Sequence, residues 1–349
     1  MSDLYFTSNN SQNNNFSLEL LDKERLEIKF GFTKTSDNWI KSFSKYFNVL
    51  SHYRLIDHFK QLDSDVLDEL IKKTFLFNSD NYTITPGMLM FLEYYKAKLE
   101  LDLSHCYISL SEELSHNIIL NELPKLNDTD NSFNIIERRG GHWDLLHIQK
   151  DNTGKANIIY IDSLEVGVTR QQALKEFAVQ HKLNADIYYN NLHIQNGKGC
   201  AIFTLKFLKY VLNNGPEQVL KEVKENVNSV SVLENLTLFS YKLPPECMTL
   251  TQSMSVINGN DGYLKNKDKL LSEYVTNPKE AKYGVSTPAY NNGKPQNNKV
   301  DYFKAKYIEK ALEIIKSYNY DFQKISEIIA DYEYNPFEDK DTEVIGEIN

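Results

Sequence analysis

The chain has 349 residues and a formal net charge of −9, a balance that argues against a general nucleic-acid-binding protein. Its apolar content of 41% and charged content of 25% are typical of a globular protein, and it has no apolar run of the length that spans a membrane. Its three cysteines show neither metal-ligand spacing nor a disulfide framework, which suits a reducing cytosol.

The first part of the chain is predicted to be largely helical. Residues 1–16 are rich in Asn and Ser and are expected to be disordered, whereas residues 17–84 show helical spacing of apolar side chains. Thr85, followed by a proline, predicts a helix start. Two helices are therefore expected before the central region, at about 85–99 and 111–123.

An antiparallel arrangement of strands is predicted at the centre of the chain. Apolar-rich runs and a turn sequence predict strands at 132–138, 142–149 and 157–162. His142 begins the second of these strands, and Asp162 ends the third. Because an antiparallel hairpin brings its two far ends together, we expect His142 and Asp162 to be neighbours in space.

The segment after this hairpin is predicted to alternate helix and strand. Thr169 is expected to cap a helix over 170–182, and a strand is predicted over 185–194. Glycines then interrupt the chain, and an apolar helix is predicted over 200–213. Residues 217–240, of mixed charge, are predicted to continue as helix.

Cys200, at the predicted start of a helix, is a candidate nucleophile. A thiolate is favoured by an adjacent imidazole and by the positive end of a helix dipole. His142 would take the thiol proton, and Asp162 would hold the imidazole in the useful tautomer. Gln195 and the backbone amides of the turn 197–200 would donate hydrogen bonds to a developing oxyanion.

Other histidines offer competing interpretations. Each candidate residue taken alone is commonly structural, and only their order and placement together favour catalysis. His147 lies five residues after His142 and so on the opposite face of the same strand, whereas His193 precedes Gln195. A metal site built from His142, His147 and His193 is an alternative that the alternation of strand faces opposes, so no metal is predicted.

The motifs Gly-His142-Trp, Asp162-Ser-Leu and Gln195-Asn-Gly-Lys-Gly-Cys200 resemble the signature of the clan CE cysteine proteases. The resemblance implies an α+β, papain-like core, with a mixed sheet, the nucleophile at a helix N-terminus, and helical regions on both sides. It also implies a catalytic His142, Asp162 and Cys200, with Gln195 in the oxyanion hole. In that clan the glutamine usually lies one residue further from the cysteine.

Within the clan, the sequence is most similar to the YopJ family of effector acetyltransferases. The similar motifs are Cys200-Ala-Ile-Phe-Thr-Leu, Leu243-Pro, Thr251-Gln-Ser and Leu271-Ser-Glu-Tyr, followed by a lysine-bearing helix at about 300–315. The similarity spans residues 85–315. It implies ping-pong transfer of an acetyl group from acetyl-CoA, through Cys200, to Ser, Thr or Lys of a host protein.

The same resemblance implies activation by inositol hexakisphosphate. A polyphosphate needs converging cationic side chains, which the C-terminal part of the chain can supply. The candidate lysines are Lys265, Lys267, Lys269, Lys304, Lys306 and Lys310. The resemblance further implies delivery by a specialised secretion system into the host cell cytosol.

Two other functions remain open from the sequence. His-Trp and Asp-Ser-Leu are more typical of the protease branch of the clan, so a ubiquitin or ubiquitin-like protease using the same triad is the alternative. A catalytically silent binding module is the third hypothesis, which the intact triad opposes. The expected domain organisation is a disordered N-terminus at 1–16, a helical region at 17–84, a catalytic domain at 85–245, a regulatory region at 246–330 and an acidic disordered tail at 331–349.

Overall fold

A computed structural model describes the central and C-terminal parts of the chain. The described residues are 68, 85–109, 111–127, 131–139, 142–151, 153–195, 199–233, 236–276, 289–291, 294–296, 299–319 and 324. The predicted disordered N-terminus, nearly all of the predicted helical region at 17–84, and the predicted acidic tail lie outside these residues. No helix in the described part combines the length and the apolar character required to cross a bilayer.

Helices and strands alternate along most of the described chain. The helices are α1 (Thr85–Leu99), α2 (Glu112–Glu122), α3 (Val168–Gln180), α4 (Cys200–Asn214), α5 (Pro216–Glu225), α6 (Met254–Gly259), α7 (Leu271–Thr276) and α8 (Lys299–Ser317). The strands are β1 (Cys106–Ser109), β2 (Ser132–Arg139), β3 (His142–Lys150), β4 (Ala156–Ile161), β5 (Ala185–Asn190), β6 (Val227–Leu233), β7 (Leu236–Tyr241), β8 (Tyr263–Leu264), β9 (Lys269–Leu270), β10 (Ala289–Asn291) and β11 (Lys294–Gln296). Short 3-10 helices cover Leu123–Lys125, Pro245–Leu250 and Lys265–Lys267.

A seven-stranded mixed sheet in the order β1-β2-β3-β4-β5-β7-β6 forms the centre of the fold. The strands β2, β3 and β4 are antiparallel neighbours, whereas β5 pairs in parallel with both β4 and β7. Two-stranded ribbons of β8 with β9 and of β10 with β11 lie apart from it. This mixed sheet with helices confirms the predicted α+β class.

The main core lies between the sheet and helices α2 and α3. Ile118 of α2 and Phe177 of α3 pack in one cluster with side chains of β3 and β4 such as Leu146 and Ile158. The described helix α4 packs against β3. Strands β3 and β4 are buried along nearly their whole length, as central strands are, and the near-continuous apolar sequence of β4 fits this position. Strand β3 also buries polar side chains, including Asp144 and His147. The ends of these strands are thereby held in a rigid frame.

The predicted helix starts at Thr85 and after Ser111 are confirmed, and Ser111 Oγ accepts a hydrogen bond from the Leu114 N–H at 3.1 Å. The predicted cap at Thr169 is wrong. The cap position is Gly167, whose carbonyl accepts from the N–H groups of Arg170 and Gln171 at 3.0 Å. The helix thus begins two residues earlier than the position expected from cap chemistry alone.

The prediction of helix over 217–240 is wrong for its second half. Helix α5 ends at Glu225, and the chain then forms the β6–β7 hairpin. The sequence Val227-Asn-Ser-Val-Ser-Val alternates β-branched and small polar residues, which favours a strand. Strand β7 then completes the sheet beside β5, a non-local pairing that outweighs local helix propensity. The strand predicted over 185–194 is also shorter, because β5 ends at Asn190.

Candidate active site

His142 and Asp162 meet at one end of the β3–β4 hairpin. His142 is the first residue of β3, and Asp162 directly follows the last residue of β4. In the register of this pair Leu145 lies opposite Ile161, so the two polar residues lie just beyond the paired region. His142 Nε2 and Asp162 Oδ1 are 2.6 Å apart. The structure therefore brings together the two residues that the hairpin prediction made neighbours.

The Asp162 backbone is held by a residue that the sequence analysis missed. Asn190, fully buried at the end of β5, accepts a hydrogen bond from the Asp162 N–H at 2.7 Å and donates to the Asp162 carbonyl at 2.8 Å. The Asp162 carboxylate also accepts from the Leu164 N–H at 2.8 Å. These bonds fix the carboxylate position before any substrate binds, as a group that orients a catalytic histidine requires.

Cys200 is the first residue of α4, where the helix dipole favours negative charge. Gly199 precedes it with φ of 135°, and a Cβ there would lie 2.6 Å from Val300 Cγ1 of α8. Only glycine accommodates both the backbone angle and the close contact. The predicted turn 197–200 is described only at its last two residues, since 196–198 lie outside the described part.

The His142 ring is hydrogen-bonded to Asp162, and it lies close enough to Cys200 for that residue to affect its pKa. Because Nε2 faces Asp162, Nδ1 is the ring nitrogen available to the thiol. Burial opposes a charged ring, but the hydrogen bonds and negative charges of Asp162 and Cys200 raise the His142 pKa to about 10. An imidazolium beside the sulfur stabilises the thiolate, so the three residues form the charge arrangement of an activated cysteine.

All three cysteines are free and buried, and the two others differ from Cys200 in their neighbours. Cys106 and Cys247 are free and buried, and burial raises the pKa of each thiol. A buried thiol with a raised pKa stays protonated and unreactive. Cys200 is therefore the only one of the three placed beside a histidine and a carboxylate.

Gln195 is buried beside Ser163, in the segment that follows Asp162. The Ser163 hydroxyl donates to Gln195 Oε1 at 2.6 Å, and the Ser163 carbonyl accepts from the N–H groups of Ile194 and Gln195 at 2.9 and 3.0 Å. The glutamine is thus attached to the residue that follows Asp162. This contact joins Gln195 to a residue that lies one position from the candidate acid along the chain.

A buried charged network lies next to the histidine and aspartate. Asp144 Oδ2 accepts from the Tyr160 hydroxyl at 2.6 Å and from Arg139 Nη2 at 3.0 Å, and Arg139 also pairs with Glu137. Burial, followed by the charge of Glu137, raises the pKa of Asp144 well above its usual range.

The metal trio considered from the sequence does not come together. His147 is buried, bonds Asn134 at 3.0 Å, and has its pKa lowered to about 4 by burial, whereas His193 is exposed. Among the described residues, one group has ligand atoms close enough for a metal, with all of them within 4.8 Å of one another. Its members are His142, Asp144 and Asp162.

The predicted polyphosphate lysines occupy different environments. Lys265 pairs with Glu222 at 3.1 Å, and Lys310 pairs with Glu313 at 2.5 Å, so both are engaged with acids. Lys269 is half-buried in β9, Lys267 and Lys306 are exposed, and Lys304 lies on α8 with its side chain outside the described part. The six are therefore not equivalent candidates.

Helix α4 adds two lysines that the sequence analysis missed. Burial lowers the pKa of Lys206, and the charges of Lys209 and Lys267 lower it further. Burial likewise lowers the pKa of Lys209, with a further contribution from Lys306. Because the charges of Lys209 and Lys267 act on Lys206, and that of Lys306 acts on Lys209, these four lysines lie near one another. They come from α4, the 3-10 helix at 265–267 and α8, and are called the basic cluster below. The sequence of α4 did not indicate that Lys206 and Lys209 lie near other lysines, because most residues of this helix are apolar.

A family model described as YopJ Serine/Threonine acetyltransferase matches residues 78–310. The chain belongs to this family. The match confirms the resemblance drawn from the sequence motifs and makes the protein a cysteine-nucleophile acetyltransferase by family. Comparison with curated protein sequences gives no significant match.

Solved structures show remote likeness to the chain. The crystal structure of HopZ1a in complex with IP6 has 10% identity and a TM-score of 0.49, covering 78% of this chain and 97% of that one. HopZ1a in complex with IP6 and CoA has 9% identity and a TM-score of 0.46, covering 78% and 98%. A de-sumoylating protease has 11% identity and a TM-score of 0.36, covering 72% and 90%. The assignment to the family rests on the family match.

Proposed function

We propose that this member of the YopJ family moves an acetyl group from acetyl-CoA to Ser, Thr or Lys of a host protein through an S-acetyl intermediate on Cys200. The observation that supports it most is the His142 ring bonded to Asp162 at 2.6 Å, with its pKa raised by Asp162 and by Cys200, the first residue of α4. Family membership supplies the acetyl donor class, and the geometry supports Cys200 as the proposed nucleophile and His142 as its proposed base.

In the first half-reaction the Cys200 thiolate attacks the acetyl carbonyl carbon. The Gln195 amide and the Cys200 backbone N–H are the proposed donors to the oxyanion. Collapse breaks the carbon–sulfur bond to coenzyme A, and the departing thiolate takes the proton held by His142. Cys200 is left as a thioester, and His142 becomes neutral.

In the second half-reaction neutral His142 accepts the proton of an acceptor hydroxyl, or one N–H proton of a lysine acceptor that has already lost its ammonium proton to solvent and attacks as the neutral amine. The acceptor oxygen or nitrogen attacks the thioester carbon, and the Cys200 thiolate leaves beside the imidazolium. Asp162 stabilises that charge at 2.6 Å throughout. The site returns to its starting protonation, as a ping-pong cycle requires.

The basic cluster is the proposed site of an activating polyphosphate. Lys206 and Lys209 come from the helix that Cys200 begins, and Lys306 comes from the helix whose Val300 contacts Gly199. Burial penalises the ammonium groups of Lys206 and Lys209, and a bound anion would offset that penalty, so these lysines with the exposed Lys306 fit inositol hexakisphosphate. The HopZ1a complexes contain IP6, and the same ligand class is proposed here.

Delivery into a host cell by a specialised secretion system, and host proteins as acceptors, are proposed from the family resemblance. A role as a ubiquitin-like protease uses the same triad and differs in the acyl donor. The Asp162-Ser163-Leu164 sequence, typical of that branch, keeps it as the second candidate.

The test is incubation with labelled acetyl-CoA, with and without inositol hexakisphosphate, beside a ubiquitin-family activity probe. Cys200-dependent self-acetylation that rises with the polyphosphate supports the transferase. Capture of the probe by Cys200 without acetyl transfer contradicts it and favours the protease. The Cys200→Ala variant is the control in each arm.

A further inference from the structure

Ser163 contacts Gln195 at both its backbone and its side chain. Its carbonyl accepts the Gln195 N–H at 3.0 Å, and its hydroxyl donates to Gln195 Oε1 at 2.6 Å. Both residues are buried, with exposed fractions of 1% for Ser163 and 4% for Gln195. Water therefore does not compete for this hydroxyl, and Gln195 is held at two points by one residue.

A glutamine carboxamide has two ends of similar shape and opposite hydrogen-bonding character. An oxyanion is stabilised by the NH₂ end and repelled by the carbonyl oxygen. The function of Gln195 therefore depends on which end faces the reacting carbon. Because the two ends have similar shapes, packing does not select one of them. A neighbouring group that forms a hydrogen bond with one end can do so.

The Ser163 hydroxyl makes this distinction through its proton. Among the described residues, Gln195 Oε1 is the acceptor for that proton. If the carboxamide turned over, its NH₂ group would point at the hydroxyl oxygen, and the hydroxyl proton would lose its acceptor in a site closed to water. A buried donor without an acceptor is disfavoured, so the observed orientation is preferred.

We propose that Ser163 is a positioning residue that orients the Gln195 carboxamide so that Nε2–H, rather than the carbonyl oxygen, is presented to the oxyanion formed at Cys200. Ser163 directly follows Asp162, so one dipeptide holds both the histidine and the oxyanion donor. The inference rests on the proposed acyl-transfer function and adds to it a residue with a defined role.

The test is a double-mutant cycle of Ser163→Ala and Gln195→Ala, scored by the rate of Cys200 acetylation from acetyl-CoA. Loss of an oxyanion donor typically lowers kcat about 100-fold or more, and we expect that for Gln195→Ala. Ser163→Ala is expected to lower kcat about tenfold with little change in KM, since the hydrogen bond that favours one carboxamide orientation is lost. The double variant is expected to match Gln195→Ala alone, because Ser163 acts only through Gln195.

Two readouts separate positioning from damage to the fold. Alkylation of Cys200 by iodoacetamide forms no oxyanion, so its rate and pH profile are expected to be unchanged in Ser163→Ala. Ser109→Ala is the matched control, because Ser109 is equally buried and its hydroxyl donates to the Ser111 carbonyl at 2.7 Å in strand β1, at the far edge of the sheet. That variant is expected to lose similar stability and no activity.

Losses that add in the double variant would overturn the proposal, as would a Ser163→Ala variant with an altered alkylation profile or an unaltered kcat. If the wild type does not use acetyl-CoA, the proposed function fails separately. The release of nitrophenol from p-nitrophenyl acetate then reports the same acylation of Cys200. The cycle is repeated with that ester, and the same pattern of losses decides the role of Ser163.

Discussion

The His142 ring lies beside the Asp162 carboxylate and the Cys200 sulfur, and these neighbours in the folded protein determine whether the ring is charged. Its pKa is raised from 6.5 to about 10 because hydrogen bonds and charges from Asp162 and Cys200 outweigh burial. A folded-state pKa above the unfolded value means that the charged ring stabilises the fold. This contribution is fully present below pH 6.5 and is lost as the pH rises through about 10.

This sign gives a prediction for His142→Asn. The free energy of unfolding is expected to be higher for the wild type than for the variant. This difference is expected to be largest below pH 6.5 and to be lost as the pH rises through about 10. Urea titrations across that range measure it. His193→Asn, at an exposed histidine, is the control and is expected to show no such trend. A His142 difference that does not vary with pH would contradict the charged ring.

Asn190 allows a second prediction at this scale. Asn190→Ala removes both hydrogen bonds to the Asp162 backbone and leaves a buried N–H unpaired, at a cost of about 1–3 kcal/mol. Displacement of the carboxylate is expected to lower acetylation of Cys200 by about 10- to 100-fold. Asn157→Ala, at an equally buried asparagine of β4, is the matched control and is expected to retain activity. Equal activity losses in the two variants would show that Asn190 has no special role.

At the scale of elements, the contact between α8 and the residue before the nucleophile is the most specific feature. Gly199→Ala places a Cβ 2.6 Å from Val300 Cγ1 at a φ of 135°. We expect lower stability and slower Cys200 alkylation, because either α8 or the start of α4 has to move. Gly154→Ala, at φ of 77° with no atom within 4 Å, is the control for backbone strain alone.

The second variant in this test is Gly199→Ala combined with Val300→Ala. The Val300→Ala change removes the close contact but leaves the backbone strain at residue 199. The loss of stability in Gly154→Ala measures such strain alone. The double variant is therefore expected to recover part of the additional loss that Gly199→Ala shows over Gly154→Ala. The thermal midpoint and the alkylation rate measure this recovery. No recovery would show that the contact with α8 does not constrain the start of α4.

Prediction of the elements succeeded where the signal was local and failed where the pairing was distant. The order and alternation of β3 and β4 were enough to make His142 and Asp162 neighbours. Asn190 escaped notice because its contact with Asp162 depends on the parallel pairing of β4 with β5, which no local pattern reveals. The β6–β7 hairpin was misassigned as helix because β7 pairs with β5, about fifty residues earlier in the chain (Ala185 opposite Leu236).

At the scale of the whole molecule, the basic cluster joins parts of the chain that are far apart in sequence. Lys209→Glu and Lys306→Glu are each expected to raise the inositol hexakisphosphate concentration that gives half-maximal acetylation, since each replaces an attractive charge with a repulsive one. Titration calorimetry measures the same loss in binding. Lys221→Glu, exposed on α5, is the control for the change in net charge. If all three variants raised this concentration equally, the loss would reflect the change in net charge and would contradict a polyphosphate site at the basic cluster.

Sequence analysis found only half of this cluster. Lys267 and Lys306 were among the predicted lysines, because they lie in the lysine-rich C-terminal part of the chain. Lys206 and Lys209 lie on a helix whose apolar residues dominate its sequence, so only tertiary packing shows that they face the C-terminal lysines. Lys265 and Lys310 were predicted as well, yet each pairs with a glutamate.

The central claim is that Cys200 carries the acetyl group. The most direct measurement is peptide mass spectrometry of the protein after brief incubation with acetyl-CoA and inositol hexakisphosphate, followed by an acid quench. The account predicts one hydroxylamine-labile acetyl group on the peptide that contains Cys200, and its loss in Asp162→Asn. An unmodified Cys200 under these conditions, together with capture of a ubiquitin-family probe, would contradict it.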